Sequence, residues 1–448
     1  MNSRLLRRLN RRRHVSGSSH LPWLGLAAGG LVGLAPVAHG QYALQVDDAY
    51  TAYVQSQKHS GSDSSGPESR LGNYNVKIGP TGWRFGAGLA LQYTSNAGYS
   101  QDGGSSDFII QPGAWASMLW PITDRNSLTF NLSAGYSAYM KDSSLNRFYI
   151  NPGSALAFNI FVGEVRITLY DRAAISQSYQ NPTVSAGNAG YSSFQNDVGA
   201  MANWALDKGS VTWGYDHLNY IQMNGADMTP LSSAYGNSSS EVVSAQVGYA
   251  VAPQITIGPQ VGLTWINYQN ALAGSAFQWN AGIYGKWMLS ERMNLGGSVG
   301  WTTYTPDTGF APLDVGSSSP YFQLSWTHAA SKLVSYSLNA GYTTTAGQFS
   351  SGPTQAYNVG LGVNWNLLRG YTISTPFNYY SGNSLAQFTQ NYSYYSAGIN
   401  IGHGITQKLS ASLGYNITFQ NSAWNVGSLD TSSNYTVNNV TLSAQYSF

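Results

Sequence analysis

Cysteine is absent from the 448 residues, which excludes a disulfide scaffold, a thiolate zinc site and a thiol nucleophile. Charge is scarce as well. Asp, Glu, Lys and Arg make up 9% of the chain, against roughly 25% in ordinary soluble domains. Beyond the first forty residues no apolar run approaches the ~20 residues that a membrane-crossing helix needs. The formal net charge of +2 belongs to the N-terminus, where Arg4, Arg7, Arg8, Arg11, Arg12 and Arg13 are the only charged residues among the first forty. Taking those six from the 21 Lys and Arg leaves 15 against 19 acidic residues, so a nucleic-acid footprint is not supported. Aromatics and glycine are plentiful instead: 32 Tyr, 13 Trp and 50 Gly.

The N-terminus has the order of a secretory signal peptide. The Arg cluster is followed by an apolar stretch from Leu21 to Ala38, and Ala38-His39-Gly40 gives a small-x-small cleavage site before Gln41. Pro22, Pro36 and several glycines argue against a membrane anchor. Residues 1–40 are therefore expected to be a signal peptide. Residues 41–80 contain the linker-like run His59–Pro67, and Gln45–Val54 is too short for a domain. They read as a periplasmic or lumen-entering extension.

After Gln41 the dominant signal is period-2 alternation. Leu409, Ala411, Leu413, Tyr415, Ile417 and Phe419 alternate with Ser, Gly, Asn, Thr and Gln, and the runs from Tyr357 and from Leu128 do the same. A soluble sandwich also alternates, so the strand ends decide. Phe277 and Trp279 open one apolar face, Ala281 and Ile283 fill its middle, and Trp287 closes it. Rings at both ends of a small or aliphatic centre describe a stave crossing a bilayer. The fold class expected is all-β, a transmembrane antiparallel up-and-down barrel of about eighteen strands, with sixteen possible because a weak strand such as 318–328 can merge or vanish. The eighteen are 83–94, 108–120, 127–140, 147–161, 164–176, 191–206, 210–222, 238–251, 254–268, 275–288, 292–305, 318–328, 333–345, 354–367, 371–382, 391–404, 409–421 and 435–448, so the barrel is expected over 81–448.

Tight connections are expected around Asp124, Val162–Gly163, Asp207–Gly209, Ala252–Pro253, Ser290–Glu291, Ala329–Lys332, Leu368–Gly370 and Ile405–Lys408. Longer Gly/Ser/Asn loops are expected at Ser95–Ser106, Gln177–Gly190, Met223–Gly236, Pro306–Ser317 and Asn421–Asn434. Short turns facing long loops, with an even strand number, is the pattern of bacterial outer-membrane barrels, and it puts both termini on the periplasmic side. A wall in hydrocarbon cannot leave an edge unpaired, so the first strand must close on the last. That last strand ends at Tyr446 and Phe448 and resembles the signal read by barrel-insertion machinery. The expected partners are that machinery, outer-membrane lipids and lipopolysaccharide, and a polar solute or polysaccharide.

Three segments carry a family resemblance: Glu164-Val165-Arg166-Ile167-Thr168-Leu169-Tyr170-Asp171-Arg172, Phe194-Gln195-Asn196, and Gly214-Tyr215-Asp216-His217-Leu218-Asn219-Tyr220. They resemble the beta-barrel porin 2 family, most clearly over about Trp83–Tyr304 and more loosely beyond. The resemblance implies an outer-membrane channel-like protein with a link to exopolysaccharide export. It supplies no catalytic residues.

With so few charges, those on the polar phase of neighbouring staves matter. Glu164, Arg166, Arg172, Asp197 and Asp216 share that phase, and counting from the tight turns puts Arg172, Asp197 and Asp216 at similar heights. They form either a lumen lining that filters solutes or a structural ion-pair cluster. His217 breaks phase between outward Tyr215 and the apolar pair Leu218 and Tyr220. A β-bulge near 216–217 would turn it inward; otherwise it sits outward at headgroup level. Tyr379, Tyr380, Tyr392, Tyr394 and Tyr395 cluster near one loop, as saccharide-stacking faces or as part of the aromatic girdle.

No metal site is expected, because His217, His328 and His403 lie on distant staves. Ser176 and Ser210 have no His at a defensible spacing, so an enzyme is not expected and no cofactor is called for. The expected function is an outer-membrane porin-like channel for passive passage of polar solutes, as a conduit in exopolysaccharide export on the family resemblance. An occluded structural or surface barrel is the alternative, and an outer-membrane hydrolase a more remote one.

Overall fold

Alternation becomes strand along nearly the whole of the computed structural model, which describes residues 74–101, 104–177, 192–223, 237–269, 275–307, 315–346, 353–367, 370–385, 389–426 and 429–448. The expected signal peptide and residues 41–73 of the expected extension lie outside the described residues. So does most of the loops Gln177–Gly190, Met223–Gly236 and Pro306–Ser317.

Among the described residues, twenty strands form one antiparallel sheet. The first seven are β1 (Val76–Ile78), β2 (Thr81–Thr94), β3 (Asp107–Pro121), β4 (Ser127–Tyr139), β5 (Arg147–Ile150), β6 (Ala155–Val162) and β7 (Val165–Gln177). The next seven are β8 (Ser192–Leu206), β9 (Gly209–Met223), β10 (Ser238–Ala252), β11 (Ile255–Tyr268), β12 (Ser275–Ser290), β13 (Met293–Asp307) and β14 (Ser317–His328). The last six are β15 (Val334–Ala346), β16 (Pro353–Asn366), β17 (Tyr371–Ser384), β18 (Thr389–Gly404), β19 (Leu409–Val426) and β20 (Leu429–Ser447).

Apart from β5 and β6, each strand pairs with its neighbours in sequence, and β2 pairs with β20 from Gly86↔Ser447 to Thr94↔Asn439. The sheet is thus a closed barrel. β5 and β6 are halves of one stave, since both lie between β4 and β7. The stave expected over 147–161 breaks at Asn151-Pro152-Gly153-Ser154, because Pro152 can donate no ladder hydrogen bond. The barrel has eighteen staves, not sixteen, and Ser317–His328 is a full stave.

β1 adds to the edge of β2 below the end of β20, pairing Val76↔Trp83. Phe448 N–H donates to Phe85 O at 3.0 Å, and Asn75 Nδ2 donates to the Phe448 carbonyl oxygen. The described N-terminal residues and Phe448 therefore share the end of the barrel that carries the tight turns.

One loop expectation is corrected. Asn421–Asn434 is ladder rather than loop, with β19 and β20 paired out to Val426↔Leu429. The Asn- and Ser-rich sequence conceals this because backbone groups pair whatever the side chains, and a wall standing in water needs no apolar face.

Outward positions are apolar and uncovered. Leu89 is 47% exposed, Phe108 59%, Ile283 61% and Val299 60%. In water such a surface would exceed any ordinary apolar patch. Each such side chain gains roughly 1.5–3 kcal/mol on transfer to an apolar phase, so the belt suits hydrocarbon. Trp204, Trp287, Trp326 and Trp365 rim it near the tight turns, and Tyr215, Trp265, Trp301 and Tyr357 rim it towards the loops. The inner face is polar, with Thr129, Thr168, Gln260 and Ser298 buried along it. Towards the loop end it is covered: Thr264 is 0% exposed, Tyr304 1% and Val437 0%.

Candidate functional site

Three staves assemble the charge cluster. On β7 the alternation turns Arg166, Thr168, Tyr170 and Arg172 inward; on β8 it turns Asp197 and Gly199; on β9, Asp216 and Leu218. The register sets Arg172 opposite Asp197 and Tyr170 opposite Gly199, and Gly199 opposite Asp216. Arg172 Nη1 lies 3.5 Å from Asp197 Oδ2. Its guanidinium sits 4.3 Å over the Tyr170 ring, and the Tyr170 hydroxyl donates to Asp216 Oδ1. That last bond crosses β8 above Gly199, where a Cβ would stand 2.6 Å from both the Tyr170 ring and the Asp216 carboxylate. Only glycine leaves the passage open.

Both carboxylates are buried, Asp197 at 6% and Asp216 at 2% exposure. Buried charge is costly unless paired and hydrogen-bonded. The Arg172 guanidinium pairs Asp197 by charge, without a hydrogen bond to either buried oxygen, and the Tyr170 phenol hydrogen-bonds Asp216, which ties β7, β8 and β9 together. Arg172 is the member most open to the lumen.

The other candidates stand apart. Glu164 lies exposed in the tight turn before β7 and is not on the wall. Arg166 faces the inner wall nearer the turns, opposite Asn203. Tyr170 escapes a search for charges, although its place on the polar phase two residues before Arg172 marks it. Asp107 is another buried acid, but its carboxylate accepts from the backbone N–H groups of Phe108, Met140, Lys141 and Asp142, fixing a loop.

His217 does not turn inward. β9 keeps an unbroken register with β8 and β10 through 216–217, so there is no bulge. His217 stays outward, with Nδ1 2.7 Å from Glu241 Oε1, and Tyr215 OH donates to Glu241 Oε2 at 2.6 Å. Leu218 and Tyr220 are the residues that face inward, buried at 6% and 4% exposure. Their apolar character reflects the covered loop-end lumen rather than lipid.

The tyrosine group divides between faces. Tyr379 and Tyr395 are outward, with ring centroids 4.8 Å apart. Tyr380 and Tyr392 are inward, stacked at 5.6 Å, and buried together with Ala356. Tyr394 packs beside them on the inner side. His328 and His403 sit near the tight turns, His328 beside Trp326 and Tyr336 and His403 stacked on Tyr371. Among the described residues no group of three or more His, Asp or Glu could hold a metal ion.

The loop-end lumen is narrowed from within the wall. Gln260 on β11 donates to Tyr321 OH on β14 at 2.8 Å. Gln278 on β12 donates to the backbone oxygen of Thr344 on β15 at 3.1 Å. Both bonds span staves that are not neighbours, so the inner outline is flattened there. The side chains that make these two bonds, Gln260, Tyr321 and Gln278, are uncharged.

A closed eighteen-stave antiparallel barrel with a lipid-suited belt and a polar inner wall is the class that the fold defines. The chain is similar to the outer membrane protein OpdK of Pseudomonas aeruginosa, at 12% identity and a TM-score of 0.45, over 82% of this chain and 99% of that one. It is also similar to OccK2 (OpdF) of Pseudomonas aeruginosa in complex with glucuronate, at 12% identity and 0.46, over 84% of this chain and all of that one. A third is OccAB3 of Acinetobacter baumannii, at 12% and 0.43, over 82% and 99%. No protein-family model and no curated protein matches the sequence, so the resemblance to the beta-barrel porin 2 family rests on its residues alone.

Proposed function

We propose that the chain is an outer-membrane channel for passive passage of polar solutes. One observation carries this reading: β2 closes on β20, giving a wall apolar outside and polar inside with too many staves for side chains to fill the lumen throughout. The remaining assignments follow as part of the proposal. Residues 1–40 direct export, both termini face the periplasm, Tyr446 and Phe448 mark the strand for insertion, and the belt contacts lipid and lipopolysaccharide. Arg172, on the open side of the charge cluster, biases which ions pass. A role in exopolysaccharide export gains no support from the wall or the comparisons. Catalysis gains none either: His217 is engaged by Glu241, and His328 and His403 pack on aromatic rings.

The test is conductance of the purified mature chain in planar bilayers. Stepwise ohmic increments are expected, and Arg172→Glu is expected to shift the reversal potential in a salt gradient towards cations. A protein that inserts, resists denaturation and carries no current would replace the channel with the occluded structural barrel. The buried loop-end lumen is the observation that favours that second reading.

A further inference from the structure

Two neighbouring staves, β14 and β15, part before their loop ends. β13 and β14 pair to Tyr304↔Ser317, β15 and β16 to Ala346↔Pro353, and β16 and β17 to Thr354↔Ser384. Between β14 and β15, however, pairing stops at Phe322↔Tyr342. Above that point Thr344 belongs by alternation with outward Leu338, Ala340 and Tyr342, yet it is fully buried. Its hydroxyl lies 2.5 Å from that of Ser319, which faces the lumen, and its carbonyl accepts from Gln278, three staves away. β15 accordingly touches β13, past β14. The end of β15 has therefore parted from β14 and leans to its lumen side, carrying with it the end of β16, which keeps its ladder with β17.

We infer that the end of this hairpin, Thr343–Ala346 with Pro353–Ala356, is a gate, seen here closed. Two docking positions compete. In the closed one Thr344 meets Gln278, which stands in one row of the inner wall with Thr264 and Tyr304, all three at most 3% exposed. That position leaves Thr264 Oγ1 and Gln278 Oε1 buried without hydrogen-bond partners, a desolvation cost that opposes closure. In the open position the hairpin end continues the ladder along β14, uncovering Thr264 and Gln278 to water. Continuing the register sets Pro320 opposite Thr344, and proline cannot donate to a ladder, so this position is imperfect too. Each position carries a defect. This inference rests on the channel reading and adds a regulated opening to it.

The sequence has no cysteine, so a pair introduced as Ser319→Cys and Thr344→Cys is the only pair. The contact between these side chains suits a disulfide, which would hold the hairpin end inward. Single-channel recording of the full mature chain is expected to show a higher conductance level that is lost on oxidation and returns on reduction in the same preparation, which also controls for folding. Ser319→Ala, lacking one contact, is expected to raise the occupancy of the higher level roughly fivefold, as loss of about one hydrogen bond implies. A wild-type chain that is silent while Ser319→Ala conducts supports the gate. A fully oxidised pair that switches between levels as the reduced one does overturns the gate and leaves the channel standing. Silence of wild type, Ser319→Ala and the reduced pair alike overturns both.

Discussion

At the scale of single residues, the charge cluster depends on a side chain that is missing. Gly199 lets Tyr170 reach across β8 to Asp216, so a methyl group there both clashes and leaves a buried carboxylate without its donor. Gly199→Val is expected to cost roughly 2–4 kcal/mol, the sum of overpacking and an unpaired buried acid. Urea unfolding in lipid vesicles, followed by tryptophan fluorescence, measures it. Gly153, where an added methyl group would meet nothing within 4 Å, is the control: Gly153→Ala should unfold as the wild type does. Of this site, the three charged residues were legible in the sequence, because Arg172, Asp197 and Asp216 are rare charges on one phase at matching heights. Tyr170 was not, since a tyrosine among 32 is conspicuous only once its partner across Gly199 is known. His217 was ambiguous for a related reason. An apolar residue on the polar phase signals either a bulge or a covered lumen, and alternation alone cannot tell these apart.

At the scale of elements, strand positions were legible because hydrocarbon outside and a polar interior impose a strict period of two. Where that contrast ends, so does legibility. The ladder of β19 and β20 beyond Asn421 runs through a Ser- and Asn-rich sequence, and the alternation there is silent. The break between β5 and β6 follows from Pro152 and Gly153, though the apolar residues on either side keep phase and disguise it. The inward lean of the β15–β16 hairpin is a tertiary choice that leaves no periodic trace. The barrel seam is an element-scale device as well. β1 prolongs the line of β20, and Asn75 donates to the chain's final carbonyl. Asn75→Ala is expected to lower seam stability by about 1 kcal/mol, the worth of an exposed hydrogen bond. The readout is a lower temperature for loss of the compact form in heated detergent gels; an unchanged transition would mean that the β2–β20 ladder holds the seam alone.

At the scale of the whole molecule, eighteen staves closed through β2 and β20 leave no strand edge in hydrocarbon below the loop end, and the wall sorts residues by solvent. Transport, ion bias at Arg172 and gating by the hairpin end all presuppose that sorting, with lipid on one face and water on the other. The most direct test uses the cysteine-free background on β4, where Asn131 and Ser133 face inward while Leu132 and Ala134 face outward. Single cysteines at these four positions, in protein reconstituted in vesicles, are to be treated with a membrane-impermeant thiol reagent. Labelling at 131 and 133 with protection at 132 and 134 is the expected result. Equal labelling at all four, or the reverse pattern, would contradict the barrel's lipid-facing wall and the channel built on it.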